Sequence, residues 1–333
     1  MKHTLLLYII LTAVFFTSCK QNRFKIDTDK SDLQIKIERF DKDVFALDTN
    51  NIIKGIPALQ EKYGDFFRLY TEDLMQFGSP SDTAWFQYAF CTFLTDSVFR
   101  NAYETSLHTF NDVSGIEKKL TKAFRYIEYY FPKTILPKIY MHVSGFNQPV
   151  VATDSILSIS TDNYLGRDFA SYKNLVHSYQ LEGMKPENVP SDYVMVWLVN
   201  SFPFSSETLL DNMLYQGKIM FLLETFMPGE KEHILMAFTP EQLKWCRNNE
   251  KKMWITMVES KHLFMQDRML LAKYLGDAPS TSYFPPESPG RAAVWIGWQI
   301  IRAYMANNQD ITLQQLMSEN NYRKILEKSG YRP

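Results

Sequence analysis

The chain has 333 residues, with 36 Lys and Arg against 37 Asp and Glu, so its net charge is −1 and no basic excess marks it as a nucleic-acid binder. Its residues are 45% hydrophobic and 15% aromatic, enough to bury a large core in one domain or two closely packed ones. The three cysteines, Cys19, Cys91 and Cys246, show no zinc-type pairing, and the last two fall in helical patterns that suit free buried thiols.

The N-terminus carries Lys2 and His3, an apolar run from Leu5 to Phe16, and then Thr17-Ser18-Cys19. That order is a lipobox. The run is too short to cross a hydrocarbon core, which needs about 20 residues, so we expect a signal peptide over residues 1–18 and lipidation at Cys19. Residues 19–31 are polar and read as a tether, leaving 32–333 as the globular domain.

Leu33 to Phe40 alternates apolar and polar residues and predicts a strand. Helical spacing follows from Ile56 to Phe77 and from Asp82 to Thr109, broken by Gly78-Ser79-Pro80, with Asp82 as an expected N-cap. Gly115 to Phe131 is a third helix, with Leu120, Phe124, Ile127 and Phe131 on one stripe and Pro132 ending it. The β-prone segments 138–144, 150–152 and 155–160 predict short strands. Helices are then expected over 190–202, 207–227, 239–261, 267–275 and 289–307, followed by two short ones; Ser205-Ser206-Glu207 and Thr239-Pro240-Glu241 look like caps. The pattern predicts an α+β fold, predominantly helical, with a small sheet built from the first strand and the middle ones.

Familiar catalytic patterns are absent from the sequence. No two of the six histidines stand four apart and none precedes a glutamate, so no helix presents a His-Glu-x-x-His zinc site, and we expect no metal and no cofactor. Ser144-Gly145 lacks the preceding glycine of a nucleophile elbow, and neither phosphate-loop pattern occurs. Acidic neighbours such as Asp41 and Asp43, or Glu224 and Glu230, suit a charged surface.

Two segments keep polar residues and glycine where a simple core would not. Thr208 to Lys218 contains Gln216-Gly217-Lys218, and a glycine inside a helix costs up to about 1 kcal/mol, which implies close packing or a site. Ser288 to Met305 places Arg291, Trp295, Trp298 and Arg302 at helical spacing on one face. We expect these two helices to cross at Gly217 and Gly297, to line a cleft with Gln216, Lys218, Arg291, Trp295, Trp298 and Arg302, and to keep carboxylates such as Asp211 or Glu224 beside the arginines or else leave the cleft open. The plainer reading of the second helix is a buried aromatic stripe with the arginines stacked on it.

These segments, with Arg39-Phe40-Asp41, Tyr140 to Phe146 and Asp162 to Gly166, make the mature chain similar to the gliding-motility lipoprotein GldB family of Bacteroidota. The resemblance implies a lipid-anchored envelope protein that supports the gliding apparatus and type IX secretion by binding other envelope proteins. The absence of acidic residues directly after Cys19 implies, on the same resemblance, a periplasm-facing anchor. The family also looks distantly similar to predicted zinc-dependent peptidases, which implies a zincin-like scaffold. Here Gln216-Gly217-Lys218 puts a neutral amide at the third ligand position, and Val-Met-Val-Trp-Leu-Val replaces the first two ligands, so the expectation is a pseudo-peptidase with no catalytic residue. The alternative is a metal-dependent peptidase or other hydrolase acting on envelope peptides.

Overall fold

The alternation that predicts the first strand gives way early, at Phe40. In the computed structural model, which describes residues 23–333, β1 spans only Ile37–Arg39. The amides of Ile35 and Ile37 are taken by the Thr121 hydroxyl and the Glu117 carboxylate, both at 3.0 Å, so the stretch before β1 is held by side chains, not by a ladder. Phe40 instead opens helix α1 (Phe40–Phe45), with Asp41 and Asp43 favourable in its first turn. Residues 23–32 form a separate unit, containing a 3-10 turn over Thr28–Lys30 that Asp27 caps. The signal peptide and Cys19 lie outside the described residues.

The expected helix over 56–77 is three pieces: α2 (Ile52–Tyr63), α3 (Asp65–Arg68) and a π-helical stretch, Leu69–Leu74. Gly64, at φ +48°, makes the break that a side chain would resist. The segment 82–109 also divides, into α4 (Thr83–Thr95) and α5 (Ser97–Thr109), because the Asp96 carboxylate caps the amides of Val98 and Phe99. Asp82 sits at the N-cap of α4, but its carboxylate accepts no capping bond from the helix amides. Helix α6 (Ser114–Tyr130) follows, burying Leu120, Phe124 and Ile127 as expected, while Phe131 falls just beyond it.

Strands β2 (Lys138–His142), β3 (Val150–Ala152) and β4 (Ile156–Ser160) complete a mixed sheet in the order β1-β2-β4-β3, in which only β3 runs antiparallel. Both parallel strands β2 and β4 are buried along most of their length, as sheets covered on both faces require. An aromatic core lies on one side, with Phe40 edge-on to Tyr63, Phe66 and Tyr70 at 4.7–5.0 Å between ring centroids.

The rest of the chain is helical: α7 (Tyr172–Leu175), α8 (Val189–Ser201), α9 (Leu209–Phe226), α10 (Glu232–Met236), α11 (Pro240–Glu259), α12 (Arg268–Leu275), α13 (Ala292–Asn307), α14 (Leu313–Ser318) and α15 (Tyr322–Ser329). Thr239 forms the expected capping box with Gln242. The cap of α9, however, is Thr208, whose hydroxyl accepts from the Asp211 amide at 3.2 Å, in place of the Ser205-Ser206-Glu207 signal. Among the described residues no helix is long and apolar enough to cross a membrane. The fold is thus α+β, mostly helical, with a small mixed sheet.

Candidate functional site

Helices α9 and α13 pack directly on each other, and the two glycines make the crossing. A Cβ on Gly217 would overlap the Gly297 carbonyl and come within 2.9 Å of the Trp298 nitrogen; one on Gly297 would overlap the Met213 carbonyl oxygen and lie 2.8 Å from its carbon. The missing side chains allow backbone to meet backbone, the use of helical glycine that its propensity cost implied.

The polar residues around this crossing do not converge on one cleft. Lys218 is almost fully buried and donates to the Glu319 carbonyl at 2.6 Å, with its Nζ 4.6 Å from the Tyr322 ring centre, so it ties α9 to the C-terminal helices. Burial pulls its ammonium down to about 8. Gln216 is half-buried on α9 and does not line the cavity that Arg291 lines.

Arg302 and Trp298 do share a face, where the guanidinium stacks 3.9 Å above the indole. Glu224 accepts from Arg302 Nε at 2.9 Å, Arg302 Nη2 at 2.6 Å and Trp298 Nε1 at 3.0 Å, and Glu232 lies 2.8 Å from the same guanidinium. The expected carboxylate at Glu224 is therefore in place, and it consumes the arginine. Trp295 is buried, and its indole nitrogen has no hydrogen-bond partner.

Arg291 lies elsewhere because α13 begins at Ala292, not Pro289. Arg291 precedes the helix with φ +58°, a left-handed conformation that an arginine adopts only when its surroundings enforce it. Those surroundings are explicit. The fully buried Thr281 donates its hydroxyl to the Pro289 carbonyl at 2.8 Å and accepts from the Ala292 amide at 3.0 Å, bracketing Arg291 on both sides. A Cβ on Gly290 would press into the Ala278 backbone, so that glycine lets the 277–278 turn close against the arginine.

Arg291 lines a cavity of about 450 Å³, within the usual range for small-ligand sites. Asn147, Asn163, Tyr179, Asp192 and Asp277 line the same space. The Asp277 carboxylate is 3.7 Å from Arg291 Nε and two-thirds exposed, a loose pair that leaves most of the guanidinium's donors available. Asp192 lies recessed on α8, its carboxylate accepting from the Tyr164 hydroxyl at 2.7 Å. Burial pushes this carboxyl up to about 6, against the opposing influence of the Tyr164 hydroxyl and the Arg291 charge.

Beside the cavity, at the carboxyl ends of β2 and β4, a polar network holds the loops in place. Asp162 accepts from the amides of Ser144 at 3.1 Å and Phe146 at 2.6 Å and from the Ser160 hydroxyl, whose oxygen lies 2.7 Å from the Ser144 hydroxyl and accepts from it. Burial pushes the Asp162 carboxyl above the ordinary range despite these bonds. His142, fully buried, contacts Ser158 at 2.7 Å through Nδ1 and has no partner at Nε2; burial pulls its imidazole down to about 3. The Ser160 hydroxyl is thus committed to Asp162 and the Ser144 hydroxyl to Ser160, while burial leaves the His142 imidazole a weak base. Among the described residues no three His, Cys, Asp or Glu side chains come together as a metal site.

The acidic neighbours singled out in sequence are ion-paired. Asp41 takes a bidentate contact from Arg39 at 2.9 and 2.6 Å, Asp43 meets Lys62 at 2.6 Å, and Glu230 meets Lys119 at 2.6 Å. Sequence reasoning missed Asp192 and Asp277 as cavity residues. The signal for Asp192 was available as the single acid in the apolar run of α8, and Asn163 lies in the Asp162 to Gly166 motif.

The chain matches the family described as "Gliding motility protein GldB" over residues 21–333. No curated protein and no solved structure matches it.

Proposed function

Since the chain belongs to the GldB family of gliding-motility proteins, we propose that it is a lipid-anchored envelope component that supports the gliding apparatus and type IX secretion by binding, without catalysis. The observation that carries this reading is the chemistry of the cavity. Its wall offers a pre-positioned guanidinium, two carboxylates and side-chain amides, while the adjoining Ser144 and Ser160 hydroxyls are tied to each other and to Asp162. Such a set can hold a polar ligand without attacking it.

Anchoring through Cys19 fits a polar tether and a domain whose described helices are too short or too polar to span a bilayer. The anchor faces the periplasm, and the partners are other gliding and secretion proteins of the envelope. A pseudo-peptidase ancestry is supported by the neutral Gln216, by Lys218 turning to Glu319, and by the apolar Val194 to Val199 on α8. Deletion of the gene in its native host should abolish surface spreading and reduce the type IX cargo released to the medium. Unchanged spreading and secretion would refute the envelope-machine role.

One observation favours a second reading, a hydrolase. Asp192, recessed in the cavity with its carboxyl raised to about 6, has the titration range of a general acid. One equivalent of zinc per purified chain, or turnover of envelope peptides lost in Asp192→Asn, would replace the binding role with that one.

A further inference from the structure

We infer that the cavity recognises a short zwitterionic ligand, a free amino acid or a small peptide with free ends, whose carboxylate sits on Arg291 and whose ammonium sits on Asp192. The inference rests on reading the cavity as a binding site and names what it binds.

Three observations carry it. First, Arg291 is built as a fixed cation. Its left-handed backbone is enforced by Thr281 on both sides and by the close approach of Ala278 to Gly290, an arrangement that aims one side chain at a cost in backbone strain. Ion pairing inside the protein does not account for that cost: the exposed Asp277 stands 3.7 Å from Nε, and the recessed Asp192 feels the guanidinium's charge but takes its hydrogen bond from Tyr164. The contrast with Arg302 is direct: that guanidinium is stacked, bidentate and neutralised by Glu224 and Glu232. A planar fork left with open donors suits a carboxylate, which it holds through two parallel N–H···O bonds.

Second, the cavity also carries two acids. A site for a simple anion would be weakened by Asp192 and Asp277, whereas a ligand with both signs of charge uses Arg291 and Asp192 together. Asp192 accepts one hydrogen bond, from Tyr164, and a carboxylate has room for more, so an ammonium can be received there. Third, the volume of about 450 Å³ suits a small molecule or a few residues, and Asn147, Asn163 and Tyr179 on the wall can pair with peptide amides.

The test is calorimetric titration of the full chain, purified in detergent, with alanine, tri-alanine, N-acetyl-tri-alanine and tri-alanine amide. Tri-alanine or alanine should bind, and the preference between them identifies the peptide or the free amino acid as the ligand form. Blocking either end should weaken binding at least tenfold. Arg291→Asn should abolish the heat while leaving the melting temperature equal or higher, because asparagine tolerates a left-handed backbone well. Asp192→Asn should weaken the free ligand but make no difference to the N-acetylated one. No binding by any probe, equal binding of the blocked forms, or full binding by a folded Arg291→Asn protein would overturn the inference. Mass analysis of the recovered tri-alanine separates the two proposals: intact peptide supports binding alone, whereas cleavage overturns the non-catalytic role and leaves recognition at Arg291 standing.

Discussion

Gly297→Ala tests the crossing of α9 and α13 at its tightest point. The added methyl would overlap the Met213 carbonyl oxygen and stand 2.8 Å from its carbon and 3.0 Å from Met213 Cγ. The obstacle is mostly backbone of a helix whose surroundings, Leu209, Leu210, Met213 and Leu214, are fully buried, so it cannot rotate out of the way as a flexible side chain could. Overpacking of this kind costs about 1–3 kcal/mol, and the helix-propensity gain of alanine over glycine returns up to about 1 kcal/mol. Rigid backbone as the obstacle puts the overpacking at the upper end of that range, so a net loss of about 2–3 kcal/mol is expected. With an unfolding entropy of about 2.1 cal/mol/K per residue, which is roughly 1.4 °C per kcal/mol for a chain this long, the melting temperature falls by about 3–4 °C. Gly115 is the internal control: it lies in the first turn of α6 with nothing within 4 Å of its would-be Cβ, so Gly115→Ala keeps only the favourable term and should match or exceed the parent. Thermal unfolding of both variants by circular dichroism decides it. If Gly297→Ala melts with Gly115→Ala, the backbone-to-backbone crossing is wrong.

Arg302→Ala should lose about 1–3 kcal/mol in urea denaturation, below the ~3–5 kcal/mol of a fully buried pair because the arginine side chain keeps 25% exposure; an unchanged midpoint would show the Glu224 and Trp298 contacts to be idle. Lys218 sets a pH dependence. Its folded value near 8 lies below the ordinary 10.5, so between those values the unfolded chain binds the extra proton and stability rises with pH. Comparing midpoints at pH 7.5 and 9.5, the wild type should gain relative to Lys218→Met; parallel behaviour of the two proteins would rule out a buried, depressed lysine. Cys19→Ala should remove incorporated fatty-acid label and release the protein from membranes, and label persisting on the variant would end the lipoprotein reading.

Much of the fold was legible because it is written in local periodicity. The apolar spacing of residues 209–226 and the α+β class follow from patterns that one helix or strand carries alone. The helix crossing was legible too, since a glycine inside an apolar helix needs a close neighbour and the sequence offers two of them. The family is likewise carried by the sequence, in motifs spread along the matched residues 21–333.

The site was only partly legible. Spacings of four, three and four put Arg291, Trp295, Trp298 and Arg302 on one face, but that reasoning assumes a helix already running at Arg291, and α13 starts one residue later. A single left-handed residue sends Arg291 into the cavity, while Arg302 goes to Glu224 and Lys218 to Glu319. Helical periodicity says which residues share a face; it says nothing about what that face meets. Asp192 and Asp277 reach Arg291's cavity from α8 and from the turn after α12. Only long-range packing brings those segments together, so only the tertiary structure decides whether an arginine is neutralised or left open to a ligand.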